Sequence, residues 1–281
     1  MRNRGARFEC LRMRPHDHIG WVFAGPAEFA ALARPFLAEG AERHEKLMYV
    51  AEDPGSAALA SLDGLAGLDG FQVRSIAEVY GTSGIVDLAR QRATFSAALA
   101  DAFAQGYTGI RVAADNTSLV TDDKRLKAWI EWEIAADRFI AENAVTGLCA
   151  FNRDKIDVNR LRHLATLHPL SSAASPVPQF RLFAGEGELC IEGEVDSFAV
   201  SQLWLALDVL PAKTAVRVDL SSARLRGGKA ITALSGLAGT GVTVTIQGQR
   251  AAIHELRAAG LVAGEHLAVR ESPHPGHDLD L

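Results

Sequence analysis

Short apolar runs alternate with longer stretches of helical period from residue 19 to residue 167, and this alternation constrains the fold more than any other feature. Residues 19–23, 46–51, 71–75, 109–114 and 145–151 read as strands. Residues 27–43, 56–66, 85–105, 122–143 and 158–167 read as helices. In the first helix Phe29, Leu32, Ala33, Phe36 and Leu37 fall on one face. Strands that alternate with helices imply a parallel, doubly wound sheet. Pro26 suits the first helical turn, whereas Pro35 inside the pattern is expected to bend or divide the helix.

The pattern breaks at Ser171-Ser-Ala-Ala-Ser-Pro-Val-Pro178, a small, polar, proline-bearing stretch of linker type. Beyond it, 180–183 and 188–191 read as hairpin partners, followed by helix 198–210, strand 215–220, helix 230–237, strand 242–246 and helix 250–259. A length of 281 residues fits two modest domains. The expected organisation is a tail at 1–14, a first domain at 15–170, a linker at 171–179, a second domain at 180–271 and a disordered tail at 272–281. Arg2, Arg4, Arg7, Arg12 and Arg14 make the first tail basic, and solvated charge is the expected reading.

A net charge of -5 gives no reason to expect nucleic-acid binding. No apolar run is long enough to span a bilayer, and the opening residues lack the apolar core of a signal peptide. Cys10, Cys149 and Cys190 lack metal-type spacing, and so sparse a set suits a reducing compartment. A cytoplasmic location is therefore expected. Cys149 and Cys190 sit in apolar runs and are expected to pack as small hydrophobes.

Residues 15–172 resemble the MEDS family, the sensory domain of methanogen and methylotroph regulators. The resemblance is carried by Asp17-His18-Ile19-Gly20-Trp21, Pro35-Phe36-Leu37 with Gly40, Tyr49-Val50, Trp129 with Trp132-Glu133, Val145-Thr146 with Leu148-Cys149, and Leu167-His168-Pro169. It implies a sensor of small organic molecules coupled to a kinase, DNA-binding or STAS module. The stretch from Val22 through Glu52 is also similar to the opening of RecA-like and KaiC-like ATPases, where a Gly-rich loop, a Lys and a Ser/Thr hold phosphates. Here the loop reads Ala24-Gly25-Pro26-Ala27-Glu28-Phe29 and lacks both the Lys and the hydroxyl. Glu28 would set a carboxylate where a phosphate would otherwise sit, which suits the helix dipole and repels an anion. The fold expected is α/β: a RecA/KaiC-like parallel-sheet domain without a working P-loop, then a smaller STAS-like α/β domain.

The second half resembles the STAS domain of anti-sigma-factor antagonists. Gly193-Glu194-Val195-Asp196 matches its turn and Asp219-Leu220-Ser221 its strand end. In the family an Asp-Ser-Ser-Gly loop then holds the phosphorylated Ser. Here that position reads Gly227-Gly228-Lys229-Ala230, so the acceptor hydroxyl is missing. Asp219, Ser221, Arg226, Gly227, Gly228 and Lys229 are the candidate partner-binding loop. Its glycines would leave backbone N–H groups free as an anion nest, and its basic residues would suit an acidic partner. Phosphorylation of Ser221 or Ser222 stays open.

For the first half the candidate ligand-binding residues are His18, Trp21, Glu133, His168 and Asp115. His16, Asp17 and His18 bring imidazole and carboxylate together, but no third cluster accompanies them, and a hydrogen-bonded structural His18 is preferred to a metal ligand. Glu131 and Glu133 point to different faces of their helix, so they are poor as an acid/base pair. Trp129 and Trp132 share a face, and Glu133 on that side must find a partner if buried. His168 reads first as a helix-ending histidine favoured by the dipole and second as a group at the carboxyl edge of the sheet, where open α/β folds bind ligands, and Asp115-Asn116-Thr117-Ser118 reads equally as ordinary turn chemistry or as facing the same crevice. No nucleophile with an evident base appears, so no catalytic residue, cofactor or metal is expected. The expected partners are an unidentified small organic ligand and an anti-sigma-factor-like kinase, with no nucleic acid and no membrane, and a homodimer is compatible with the sequence. The alternatives are a nucleotide-binding RecA-like protein or ATPase with a non-standard phosphate site, and a purely structural adaptor.

Overall fold

Parallel strands and covering helices alternate through the N-terminal unit of the computed structural model. Its elements are β1 (Gly5–Arg7), β2 (His18–Phe23), α1 (Gly25–Glu42), β3 (Lys46–Ala51), β4 (Phe71–Ser75), α2 (Ile76–Tyr80), α3 (Leu88–Ala104), β5 (Ile110–Asp115), α4 (Asp123–Glu142), β6 (Val145–Asn152), α5 (Val158–Thr166) and β7 (Leu170–Ser172). The strands form one sheet in the order β1-β7-β2-β6-β5-β3-β4. All its pairings are parallel. The structure describes residues 2–53, 62, 64–65, 67–173, 176–185, 188–196, 199–209, 215–225, 229, 232, 234, 236, 243–258, 260–264 and 266–271. The chain divides into two compact units, Met1–Val177 and Pro178–Leu281. Among the described residues no helix is long and apolar enough to cross a membrane.

Side chains alternate across a strand, so each strand serves two cores. On one face Ile19, Trp21 and Phe23 of β2 and Leu148 and Ala150 of β6 pack with Phe29, Ala33, Phe36 and Leu37 of α1. The other residues of β2 and β6 therefore meet the opposite face, where α4 contacts β6 and α5 contacts β2. Both of those helices are capped by an aspartate: Asp122 accepts from the Arg125 N–H, and Asp157 accepts from those of Asn159 and Arg160. Pro35 does not divide α1, which runs unbroken from Gly25 to Glu42. The ring lies on the solvent side, where the carbonyl it deprives of a partner faces water.

Two sequence expectations change, and a third is untested. The segment 1–14 is not a solvated tail: Gly5–Arg7 pairs with β7, Cys10 and Met13 are buried, and Arg2 bonds Asp137. Ser171 and Ser172 are not linker but buried residues of β7. The expected helix at 56–66 and tail at 272–281 fall largely or wholly outside the described residues.

The C-terminal unit holds β8 (Phe180–Ala184), β9 (Leu189–Val195), α6 (Val200–Asp208), β10 (Ala215–Leu225), β11 (Thr243–Gly248), α7 (Arg250–Ala258) and β12 (Leu267–Glu271). The sheet order is β12-β11-β10-β9-β8. Only β8 and β9 pair antiparallel, as the hairpin reading requires. Leu203 and Leu207 of α6, Val218 and Leu220 of β10, Ile246 of β11 and Ile253 of α7 are fully buried. Each large side chain removed from water in this way contributes about 1.5–3 kcal/mol. The strand expected to end at Leu220 continues to Leu225, with a register shift against β9 between Asp219 and Ser222. Ser221 is therefore inside a strand and not at its end.

Candidate functional site

The register of β2 against β6 builds the site. His18 stands beside Gly147, and Gly20 beside Cys149. On the face toward α4 and α5 the two strands thus present a square of two donor residues and two glycines. The glycines supply the room. A Cβ at Gly147 would lie 3.2 Å from His18 Cδ2, and one at Gly20 only 2.7 Å from His168 Nδ1. From above, α4 contributes Glu133 and Asp137, one turn apart on a single face. His168 follows α5 and drops onto Gly20.

These side chains meet out of contact with water. His18, Glu133 and His168 are 0% exposed and Asp137 1%. Glu133 Oε1 is 3.0 Å from His18 Nε2 and 2.8 Å from His168 Nε2. Cys149 Sγ is 3.4 Å from His18 Nε2. Each histidine uses its other nitrogen outward: His18 Nδ1 donates to Asp137 Oδ1 at 3.0 Å, and His168 Nδ1 to the Leu164 carbonyl at 2.8 Å. Asp137 is tied to the N-terminal arm, with Arg2 Nη2 at 2.5 Å from Oδ1 and Nη1 at 3.1 Å from Oδ2. Arg2 Nε also donates to the His16 carbonyl at 2.6 Å.

The electrostatics follow from burial opposed by neighbours. Burial pulls the His18 pKa down, but Glu133, Cys149 and Asp137 overturn that and hold it well above the ordinary imidazole value. Burial likewise opposes charge on His168, yet Glu133 carries its pKa up to about 9. Burial pushes Glu133 up, and the two imidazoles bring it down to about 2. Asp137 is lowered from the usual carboxylate range against the same burial cost, by His18 and Arg2.

Of the five residues expected to bind ligand, three converge: His18, Glu133 and His168. Trp21 does not, because it lies on the α1 face of β2. Asp115 closes β5, where its Oδ1 accepts from the N–H and hydroxyl of Thr117 at 3.0 and 2.5 Å, a local turn. His168 is not at the carboxyl edge of the sheet: it precedes β7, at the amino ends of the strands. The triplet His16, Asp17, His18 also separates. Asp17 accepts from Asn3 and from the Arg14 N–H, and His16 Nδ1 lies 3.2 Å from the Ile140 carbonyl. Sequence reasoning missed Asp137, Arg2 and the role of Cys149. The Glu133/Asp137 spacing of one helical turn and the Gly147/Cys149 spacing of one pleat were the available signals.

A small cavity of about 40 Å³ adjoins the cluster, lined by His18 and Cys149 with Tyr80, Phe95, Trp132 and Phe139 among its apolar walls. A larger cleft of about 340 Å³ lies between β3, β4, α2 and α3, bordered by Lys46, Arg74, Glu78 and Asp101, and includes none of the cluster. At the start of α1, Glu28 Oε2 accepts from the Ala24 N–H at 2.9 Å, as expected for a carboxylate in that turn.

Of the residues named for a partner-binding loop, Arg226, Gly227 and Gly228 lie outside the described residues, and Lys229 is exposed. Asp219 Oδ1 accepts from the Ser221 N–H at 2.9 Å and hydroxyl at 2.6 Å. Glu188, Cys190 and Asp219 approach one another, but Gln247 bonds Oε2 of Glu188 and Ser221 bonds Oδ1 of Asp219, so one oxygen of each carboxylate already has a partner.

Gly20→Ala tests the packing of the site. The added methyl must displace the His168 ring from a fully buried seat, and overpacking of this kind costs about 1–3 kcal/mol. Urea unfolding of the variant is expected to show that loss, whereas Gly67→Ala, where φ is not positive and a Cβ meets nothing within 4 Å, is the comparison without crowding.

The N-terminal unit is thus a parallel α/β domain with a cluster of ionisable side chains sealed beneath a helix, next to a small apolar cavity. Residues 17–169 match the model of the MEDS family, the MEthanogen/methylotroph, DcmR Sensory domain. The chain belongs to that family, and a sensory or signalling role follows from the membership. No match was found among curated proteins.

Proposed function

We propose that this chain is a signalling protein whose N-terminal unit senses a small organic molecule and whose C-terminal unit relays the state by protein contact. The observation that carries the reading is the cavity of about 40 Å³ beside His18 and Cys149. One water needs about 10–15 Å³ of such space, so the cavity suits an occupant of a few heavy atoms. Drug-sized ligands need about 300–1,000 Å³. Apolar walls would hold the carbon part of the ligand and the buried polar groups its oxygen or other heteroatom. The RecA-like ancestry suggested by the sequence supports a sheet of this type. The Glu28 carboxylate, seated on the Ala24 N–H, disfavours a nucleotide phosphate at α1.

The C-terminal unit is similar in sequence to STAS domains, and an anti-sigma-factor-like kinase is the partner we assign to it. With Gly228 at the acceptor position, control would run through a ligand-driven shift of populations and not through phosphorylation. Thermal unfolding of the full chain in a series of alcohols, ketones and carboxylic acids of increasing size tests the sensing role. The smallest members are expected to stabilise saturably, by about 2.7 kcal/mol at a hundredfold excess over Kd, and the effect should vanish as chain length grows. Ala114→Leu, which fills the cavity from β5, is expected to abolish it. Stabilisation by none of the series, or stabilisation that survives the filling, would sink the reading.

A further inference from the structure

We propose that His18 Nε2, His168 Nε2, a carboxylate oxygen of Glu133 and Cys149 Sγ together form a site for one divalent transition metal of zinc type. The four donors lie within 4.8 Å of one another. In a tetrahedral zinc site with bonds of about 2.0–2.3 Å, neighbouring donors stand about 3.3–3.6 Å apart. The observed spacings of 2.8, 3.0 and 3.4 Å need only small rotations to reach that.

The orientation of the groups is the stronger argument. Neither oxygen of Glu133 nor Nε2 of His168 makes a well-directed hydrogen bond, although all three atoms are buried. The nearest of them stand 2.8 Å apart, yet they do not meet the geometry of a hydrogen bond. Charge attraction offsets part of their burial, and a bound cation would satisfy the hydrogen-bonding capacity that remains. The outward nitrogens complete the pattern. Asp137 and the Leu164 carbonyl accept from the two Nδ1–H groups, which leaves each Nε2 facing inward, where a metal would take the place of its proton. A carboxylate or a backbone carbonyl behind each histidine is the usual support of a metal ligand. Arg2 then holds Asp137.

Donor chemistry selects the ion. Two imidazoles, one thiolate and one carboxylate suit zinc and similar transition metals, whereas calcium and magnesium prefer oxygen donors. The two anionic ligands balance a divalent charge, so the centre is neutral where water is excluded. Gly20 and Gly147 give the rings the space this arrangement takes. The inference stands whether or not the domain senses a small molecule.

The test is metal analysis of the full chain after dialysis against zinc, joined to the absorption spectrum of the cobalt-substituted protein. One equivalent of metal per chain is expected, with a thiolate-to-cobalt charge-transfer band. Cys149→Ser, a small change at a half-buried position, should remove that band and weaken binding at least about tenfold, while Cys190→Ser leaves both unchanged. Asp137→Asn, acting through His18, should weaken binding by about 10–100-fold without removing the band. Substoichiometric metal in the folded wild-type chain, a cobalt spectrum with no thiolate band, or a Cys149→Ser protein that binds like the wild type would overturn the proposal.

Discussion

Arg111→Met is expected to lower the unfolding free energy of the N-terminal unit by about 3–5 kcal/mol, the cost of leaving a buried charge without its partner. Arg111 is 0% exposed at the second position of β5. Its Nε donates to Glu45 Oε2 at 2.5 Å, Nη1 to the Phe36 carbonyl at 3.2 Å and Glu39 Oε2 at 3.3 Å, and Nη2 to the Met13 carbonyl at 3.0 Å. The guanidinium also lies 4.8 Å from the centre of the Phe36 ring. It therefore ties α1, the N-terminal arm and the sheet at one point. Glu45, 3% exposed, already has its pKa raised by burial against the pull of Arg111. Methionine would fill the volume and leave the carboxylate stranded. The double variant Arg111→Met, Glu45→Leu should recover much of the loss, since a buried pair can be exchanged for apolar side chains at little cost. Urea unfolding followed by the fluorescence of Trp21, Trp129 and Trp132 measures both. A single-variant loss under about 1 kcal/mol would contradict the role given to this cation.

Acidification is expected to cost about 3 kcal/mol through His163 alone. Burial pushes its pKa down from 6.5 to about 4. Its Nε2 is buried with no hydrogen-bond partner. The unfolded chain takes up the proton near the ordinary imidazole value and the folded chain only near 4. The contribution to stability is therefore intact above about pH 6.5, falls as pH drops through the interval between the two values, and is fully lost below the lower one. Each unit of separation is worth about 1.4 kcal/mol. His163→Met removes the titration. The stability of the wild type minus that of the variant should thus fall by about 3 kcal/mol between about pH 7 and about pH 4. A difference that stays constant with pH would contradict this assignment. Loss of metal from the His18 cluster in acid would affect both proteins and cancel in the comparison.

Much of the first sheet was legible because its strands are either apolar runs or follow a helix-length gap. Residues 46–51 and 71–75 were read with the bounds the structure gives. β1 and β7 were not legible. Three residues each, reading Gly-Ala-Arg and Leu-Ser-Ser, carry no period, and their pairing is a matter of long-range contact. The oversight had a consequence for the site, because without β7 His168 was assigned to the wrong end of the sheet. Residue type alone pointed to His18, Glu133 and His168. Cys149 passed for a small hydrophobe because Leu148 and Ala150 flank it, yet those two face α1 and Cys149 does not. Arg2 had no signal at all: it reaches Asp137 across 135 residues from within a segment that reads as a charged tail. Beyond residue 225 the loop that motivated the likeness to anti-sigma-factor antagonists lies outside the described residues, so that likeness rests on sequence.

X-ray absorption of the zinc-loaded full chain tests the account most directly, since among the described clusters one sulfur together with two imidazoles comes from the residues of β2, α4, β6 and the turn after α5. One sulfur scatterer at about 2.3 Å with three nitrogen or oxygen scatterers at about 2.0–2.1 Å is the expected result. A shell of light atoms alone, as a surface carboxylate site would give, would contradict it.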